Sequence, residues 1–127
     1  AAIIICPKIR SCYNENTYQL SVLRMGSTSA PLSANTLAKI ASGITDNLLT
    51  SIVRAWDRNK KIIIAPAMNT HMWDHPATKE HLAVLIRWYP HFVIIDPVVK
   101  TLECGDVGVG AMAEIGQIVE EAKKCVR

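Results

Sequence analysis

Aromatic side chains are scarce in this sequence, at 6% of its residues, and its basic side chains are scattered, not clustered. Base stacking and phosphate neutralisation need the opposite pattern, so no nucleic-acid surface is expected. Long apolar runs are missing as well. The stretches at 1–5 and 62–65 fall far short of the roughly 20 residues that span a bilayer, so no membrane segment is expected. The four cysteines (Cys6, Cys12, Cys104 and Cys125) form no C-x-x-C pair and are too sparse for a disulfide scaffold. Reduced thiols and a cytoplasmic setting follow as the expectation. The start, AAIIICPKIR, has neither Met nor a basic segment ahead of its apolar stretch. It does not fit a signal peptide and reads as a trimmed or fragmentary chain.

What is present is globular. Half of the 127 residues are hydrophobic, a fifth are charged, and the net charge is +3, the composition of one small domain with a real core. Ile62-Ile63-Ile64 is a β-branched run apolar on both faces, as suits the middle of a parallel sheet covered on both sides. Pro66 lacks an N–H and holds Ala65 extended, so the strand is expected to stop there and Met68 to Trp73 to form a loop. Strand exits of open α/β sheets are where ligands bind.

Around that strand the pattern alternates. Leu37, Ile40, Ala41, Ile44, Leu48, Leu49, Ile52, Val53 and Trp56 recur at helical spacing. Gly43 interrupts them, and Thr45-Asp46 offers a fresh N-cap, which predicts two helices. Asp74, with Pro76 in the first turn, is expected to open another helix with the stripe Leu82, Leu85, Ile86 and Tyr89. Phe92 to Ile95 reads as a second apolar strand. A last helix is expected to carry Ile115, Ile118, Val119, Ala122 and Val126 on one side, with Glu120, Glu121, Lys123 and Lys124 on the other. Strands alternating with helices predict an α/β fold with a parallel sheet. Residues 1–29 are less organised: Ala2 to Cys6 is a candidate buried strand, and Met25 to Ser29 is too polar for a central one.

A local echo adds to this. APLSANT (30–36) and APAMNT (65–70) both run Ala-Pro, a spacer, then Asn-Thr. Neighbouring strands would set these two exits side by side, although Ala-Pro also simply ends strands and Asn-Thr simply starts helices. Asn69 is a neutral fork that can hold a carboxylate without the ground-state stabilisation of Arg or Lys, an advantage where the reaction destroys that carboxylate. The same amide can instead satisfy its own turn. Met68, Met72 and Trp73 suit the wall of a planar cofactor, a subunit contact or plain core filling. His71 and His75 stand at i, i+4, but no third ligand has a sensible spacing, so no metal site is expected. Cys104 lies in a loop with Gly105, Gly108 and Gly110 ahead of a helix, which can lower a thiol pKa. An idle thiol in a mobile loop is equally compatible. The G-x-x-G-x-G order is not a dinucleotide fingerprint.

APLSANT (30–36), DNLLTSIVRAWD (46–57), PAMNTHMW (66–73) and ECGDVGVGAMAE (103–114) occur in the order found in the flavin-containing cysteine decarboxylases. The chain resembles that family from Ala30 to its C-terminus, most closely the phosphopantothenoylcysteine decarboxylases of coenzyme A synthesis. The resemblance implies a Rossmann-like or flavodoxin-like three-layer α/β fold, altered or truncated at its N-terminus. Residues 1–29 form an unmatched segment and 30–127 the flavoprotein domain. It implies a homo- or heterotrimer with FMN at the subunit boundary. In that family FMN takes a hydride from the substrate cysteine, the thioaldehyde loses carbon dioxide, and the ene-thiol is reduced to 4'-phosphopantetheine. On this sequence the flavin positions are Ser33, Ala34, Asn35, Thr36 and Ala67. Asn69 would hold the substrate carboxylate, Thr101, Leu102 and Glu103 would line the substrate, and Cys104 would donate the proton. The family's Gly/Ser phosphate loop and upstream catalytic His have no match, since no His precedes His71. The alternative implied by that departure is a catalytically incomplete relative, a regulatory or mixed-trimer subunit of the phosphatase-binding kind.

Overall fold

A computed structural model describes residues 2–5, 27–101 and 107–126. A four-stranded sheet runs in the order β1 (Ala2–Ile5), β2 (Ser27–Leu32), β3 (Ile62–Pro66), β4 (Phe92–Ile94). β2, β3 and β4 are mutually parallel, with Ile62 opposite Ser27 on one side and Phe92 on the other. β1 joins the outer edge of β2 antiparallel, pairing Ala2 with Ala30 and Ile5 with Ser27. The architecture is therefore a flavodoxin-like α/β sheet with flanking helices, carrying one antiparallel edge strand, a common addition to parallel sheets.

β3 supplies the core because it is apolar on both faces. Ile62 and Ile64 meet Leu37, Ile40, Ile52, Val53, Trp56 and Leu85 from α1 (Ala34–Ser42), α2 (Leu48–Arg54) with the turn that follows it, and α4 (Pro76–Trp88). Ile63 and Ala65 point the other way, onto Ile95, Ala113 and Ile118, the last from α5 (Ile115–Val126). Helices on both faces of one sheet give the three layers. α1 stops at Gly43, whose φ of 73° is the left-handed conformation that glycine adopts freely. The break between two helices is thus as the sequence predicts.

Several local expectations need correction. Ser27 to Ser29, too polar by pattern, lie in a central strand. The backbone ladders to β1 and β3 fix them there, and Thr28 is a good strand former. The second helix is capped by Asn47, not by Thr45 or Asp46. Asn47 Oδ1 accepts from Thr50 N at 2.9 Å while Thr50 Oγ1 accepts from Asn47 N at 3.3 Å. Asp46 instead pairs with Lys39 at 2.7 Å. Ile44, Leu48, Ile86, Ile115 and Val119 are exposed despite their helical spacing. The other stripe positions, among them Ile52, Val53, Leu82, Leu85, Ile118 and Ala122, do face the core. Val84 packs on the core in place of Ile86, and Cys125 joins Ala122 in place of Val119.

Candidate functional site

The two Ala-Pro exits are neighbours. Leu32 is registered against Pro66, and Ala67 N donates to Leu32 O at 3.0 Å. Beyond β2, Ser33 stays extended (φ −73°, ψ 158°), and its Oγ accepts from Thr36 N at 3.2 Å to open α1. Beyond β3, Asn69 repeats that conformation (φ −67°, ψ 162°), and its Oδ1 accepts from Met72 N at 2.8 Å. The stretch expected to be a loop therefore contains a one-turn helix, α3 (Thr70–Asp74). The cap role of Asp74 passes to His75, whose Nδ1 accepts from Ala77 N at 3.1 Å and opens α4 with Pro76 at its first position. His71 and His75 consequently sit on either side of a helix break, so their i, i+4 spacing does not put them on one helical face.

A hairpin completes the corner. β5 (Val98–Thr101) pairs antiparallel with β6 (Val107–Ala111), so Val107 to Gly110 form a strand where a glycine loop was expected. Met68 N donates to Gly110 O at 2.9 Å. Gly110 has φ 153°, and a Cβ there would lie 2.1 Å from Met68 O. The glycine is thus required for the hairpin backbone to touch the β3 exit, a close-approach role and not a phosphate cradle.

A cavity of about 350 Å³ opens at these exits, lined among others by Ala34, Asn69, His71, Met72, His75 and His81. It brings together one expected flavin position, Ala34, and the expected carboxylate holder, Asn69. Ser33, Asn35 and Thr36 flank Ala34. Asn35 is exposed, whereas Thr36 is buried with its hydroxyl accepting from Ser33 Oγ at 3.1 Å. Ala67 is half-buried, and its N–H is already used by Leu32. Leu102, Glu103 and Cys104 lie outside the described residues, as does the side chain of Thr101, whose backbone ends β5. Met68 packs on the core, and Met72, half exposed, forms cavity wall.

Capping orients the polar groups here. Asn69 spends its only acceptor on Met72 N, so its two N–H groups are left for a ligand, with no partner among the described residues. His75 also lines this cavity; with its Nδ1 accepting from Ala77 N, the neutral ring carries its proton on Nε2. Among the described residues, no acidic side chain lines the cavity. The arrangement can receive a carboxylate through hydrogen bonds from neutral donors. His75, weighed from the sequence only as a metal ligand beside His71, and His81, which no sequence pattern singles out, are cavity residues, and the His-Pro pair at 75–76 carries the cap signal.

Residues 28–127 match the Flavoprotein family. The mouse phosphopantothenoylcysteine decarboxylase is 54% identical over 94 residues, which are 74% of this chain and 45% of that protein. Among solved structures, a PPC decarboxylase mutant complexed with pantothenoylaminoethenethiol superposes with a TM-score of 0.73 at 50% identity, covering 76% of this chain and 52% of the other. The FMN binding protein AtHal3 superposes with a TM-score of 0.67 at 52% identity, covering 76% and 51%. The chain thus spans about half the length of these relatives.

Proposed function

Because the chain belongs to the flavoprotein family, we propose that it serves the FMN-dependent decarboxylation of 4'-phosphopantothenoylcysteine to 4'-phosphopantetheine in coenzyme A synthesis. The observation that carries this reading is the pinned amide of Asn69, which shares a cavity with Ala34 at two adjacent strand exits. The first-turn N–H groups of Ala34 and Asn35 have no intrahelical acceptor. With the small side chains of Ala34 and Ala67 beside them, they fit the polar edge and flat face of a flavin ring. Ser33 and Thr36 hold that turn in place.

When bound, FMN supplies the two-electron acceptor and donor that the substrate cysteine needs to lose carbon dioxide readily. The protein's own part is to bind, orient and protonate. Asn69 Nδ2–H holds the carboxylate, and its neutrality avoids over-stabilising a group that must leave. His75 Nε2–H is a second donor to the same end of the substrate. By the family resemblance, Thr101, Leu102 and Glu103 would contact the substrate and Cys104 would return the proton to carbon. A trimer with FMN at the subunit boundary, in the cytoplasm, belongs to the same proposal.

A second reading is a regulatory or mixed-trimer subunit of the same family. The test for both is conversion of 4'-phosphopantothenoylcysteine by the FMN-supplied protein, followed by mass spectrometry. Product from the protein alone supports the enzyme. Product only after addition of a His-bearing family subunit supports the mixed trimer, and no product in either case overturns the catalytic proposal.

A further inference from the structure

A second cavity, of about 330 Å³, lies at the opposite edge of the sheet, where β3 and β4 begin. Ile62 N donates to His91 O at 3.1 Å across this edge. The cavity is lined chiefly by Arg54, Trp56, Arg58, Trp88, Tyr89 and His91. Its polar inventory is unusual. His91 is only 9% exposed, yet neither ring nitrogen has a hydrogen-bond partner among the described residues. Its ring is held instead by edge contacts to Tyr89 and Phe92, with centroids 5.9 and 5.1 Å away. Buried polar groups in native proteins are normally paired, so one that lines a cavity marks a place for a ligand.

The charge facing this cavity is positive. Arg58 Nη2 donates to Trp88 O at 2.7 Å, which fixes the guanidinium at the end of α4 with its other N–H groups to offer. Arg54, an exposed residue at the end of α2, also lines the cavity, with its guanidinium beside Gly43. The nearby Asp57 is engaged by Asn59 N at 3.0 Å and by Lys60 at 3.6 Å, so its charge is locally offset. Trp56 is buried with its Nε1 donating to Lys60 O, while Trp88 is half exposed and presents ring surface. Guanidinium forks match carboxylate and phosphate oxygens, and indole faces stack flat rings.

We propose that this cavity is a second binding site, for a small molecule that carries an oxyanion on a flat ring. The oxyanion sits between Arg54 and Arg58 and accepts from the His91 ring, and the flat ring lies on Trp88. The site is separate from the strand-exit cavity and does not depend on the decarboxylase reading. It is tested on the full chain in a Trp73→Phe background, which leaves Trp56 and Trp88 as the only indoles. Benzoate and phenyl phosphate are titrated against fluorescence, with inorganic phosphate as the ring-free control.

Saturable quenching by a ringed probe is expected, with inorganic phosphate and the Arg54→Gln variant each about tenfold weaker, the size of one lost charge-assisted or stacking contact. His91→Phe, which preserves the aromatic contacts, abolishes the response. Whichever of benzoate and phenyl phosphate binds more tightly identifies the oxyanion. No saturable response to either ringed probe overturns the site. So does unchanged affinity in Arg54→Gln, a variant at an exposed position that leaves the fold intact, and so does equal affinity for inorganic phosphate.

Discussion

Replacing Gly110 by Ala puts the packing of the site to a quantitative test. At φ 153° an L-residue is strained, and the added Cβ would sit 2.1 Å from Met68 O and 3.4 Å from the Asn69 carbonyl carbon. These are backbone atoms, so no side-chain rotation relieves the clash. The hairpin must move off the β3 exit, and the bond from Met68 N to Gly110 O is lost with it. Backbone strain of about 1–3 kcal/mol and a hydrogen bond of about 0.5–1.5 kcal/mol together make a loss of about 2–4 kcal/mol. For a chain of this size that lowers Tm by roughly 10 °C. Urea unfolding monitored by circular dichroism measures it. Gly116→Ala is the control, because a Cβ at Gly116 meets nothing within 4 Å and lies in α5. It should stabilise by about 0.4–1 kcal/mol. A Gly110→Ala loss below about 0.5 kcal/mol would refute the close approach as the reason for that glycine.

Asn69→Ala removes the cap of α3 and should cost about 0.5–2 kcal/mol, measured by thermal unfolding, whereas Asn69→Asp keeps an N-cap acceptor and should leave stability within about 0.5 kcal/mol of the parent. His91 titrates below its ordinary value of 6.5, first because of burial and then because of the Arg58 charge, partly opposed by Asp57. The unfolded chain therefore binds the proton first, and stability should fall as pH drops below about 6.5 towards the lower folded value. His91→Phe should flatten that slope, and a wild-type stability curve with no slope there would contradict the burial of a neutral ring. Leu37→Ala, at a fully buried contact between α1 and β3, should cost about 2–5 kcal/mol in the same unfolding assay.

The parts of the fold that were legible in the sequence are those where period and punctuation agree. Ile62 to Ala65 is apolar on every position, and it is buried on both faces. Gly43 ends a helix where its left-handed conformation is needed. The Ala-Pro echo holds as adjacency, since Leu32 and Pro66 are registered. Illegible features were decided by backbone partners far away in sequence. Ser27 to Ser29 lack an apolar pattern, and their strand is made by ladders to residues 2–5 and 62–64. The glycines at 108 and 110 read as a loop because their strand pairing depends on Val99 and Lys100. At the site, Asn69 was legible as an amide at a strand exit. The cap that orients it, and the entry of His75 and His81 into the same cavity, depend on a one-turn helix too short to leave a period.

The central claim is that Asn69 presents its amide donors to a substrate carboxylate, and its most direct test is calorimetric. Binding of 4'-phosphopantothenoylcysteine to the FMN-supplied protein is compared with binding to Asn69→Asp, whose side chain keeps the cap and loses the donors. At least about tenfold weaker binding by Asn69→Asp is expected, from one charge-assisted hydrogen bond exchanged for like-charge repulsion, with Tm unchanged. Equal affinity in the two proteins would contradict it.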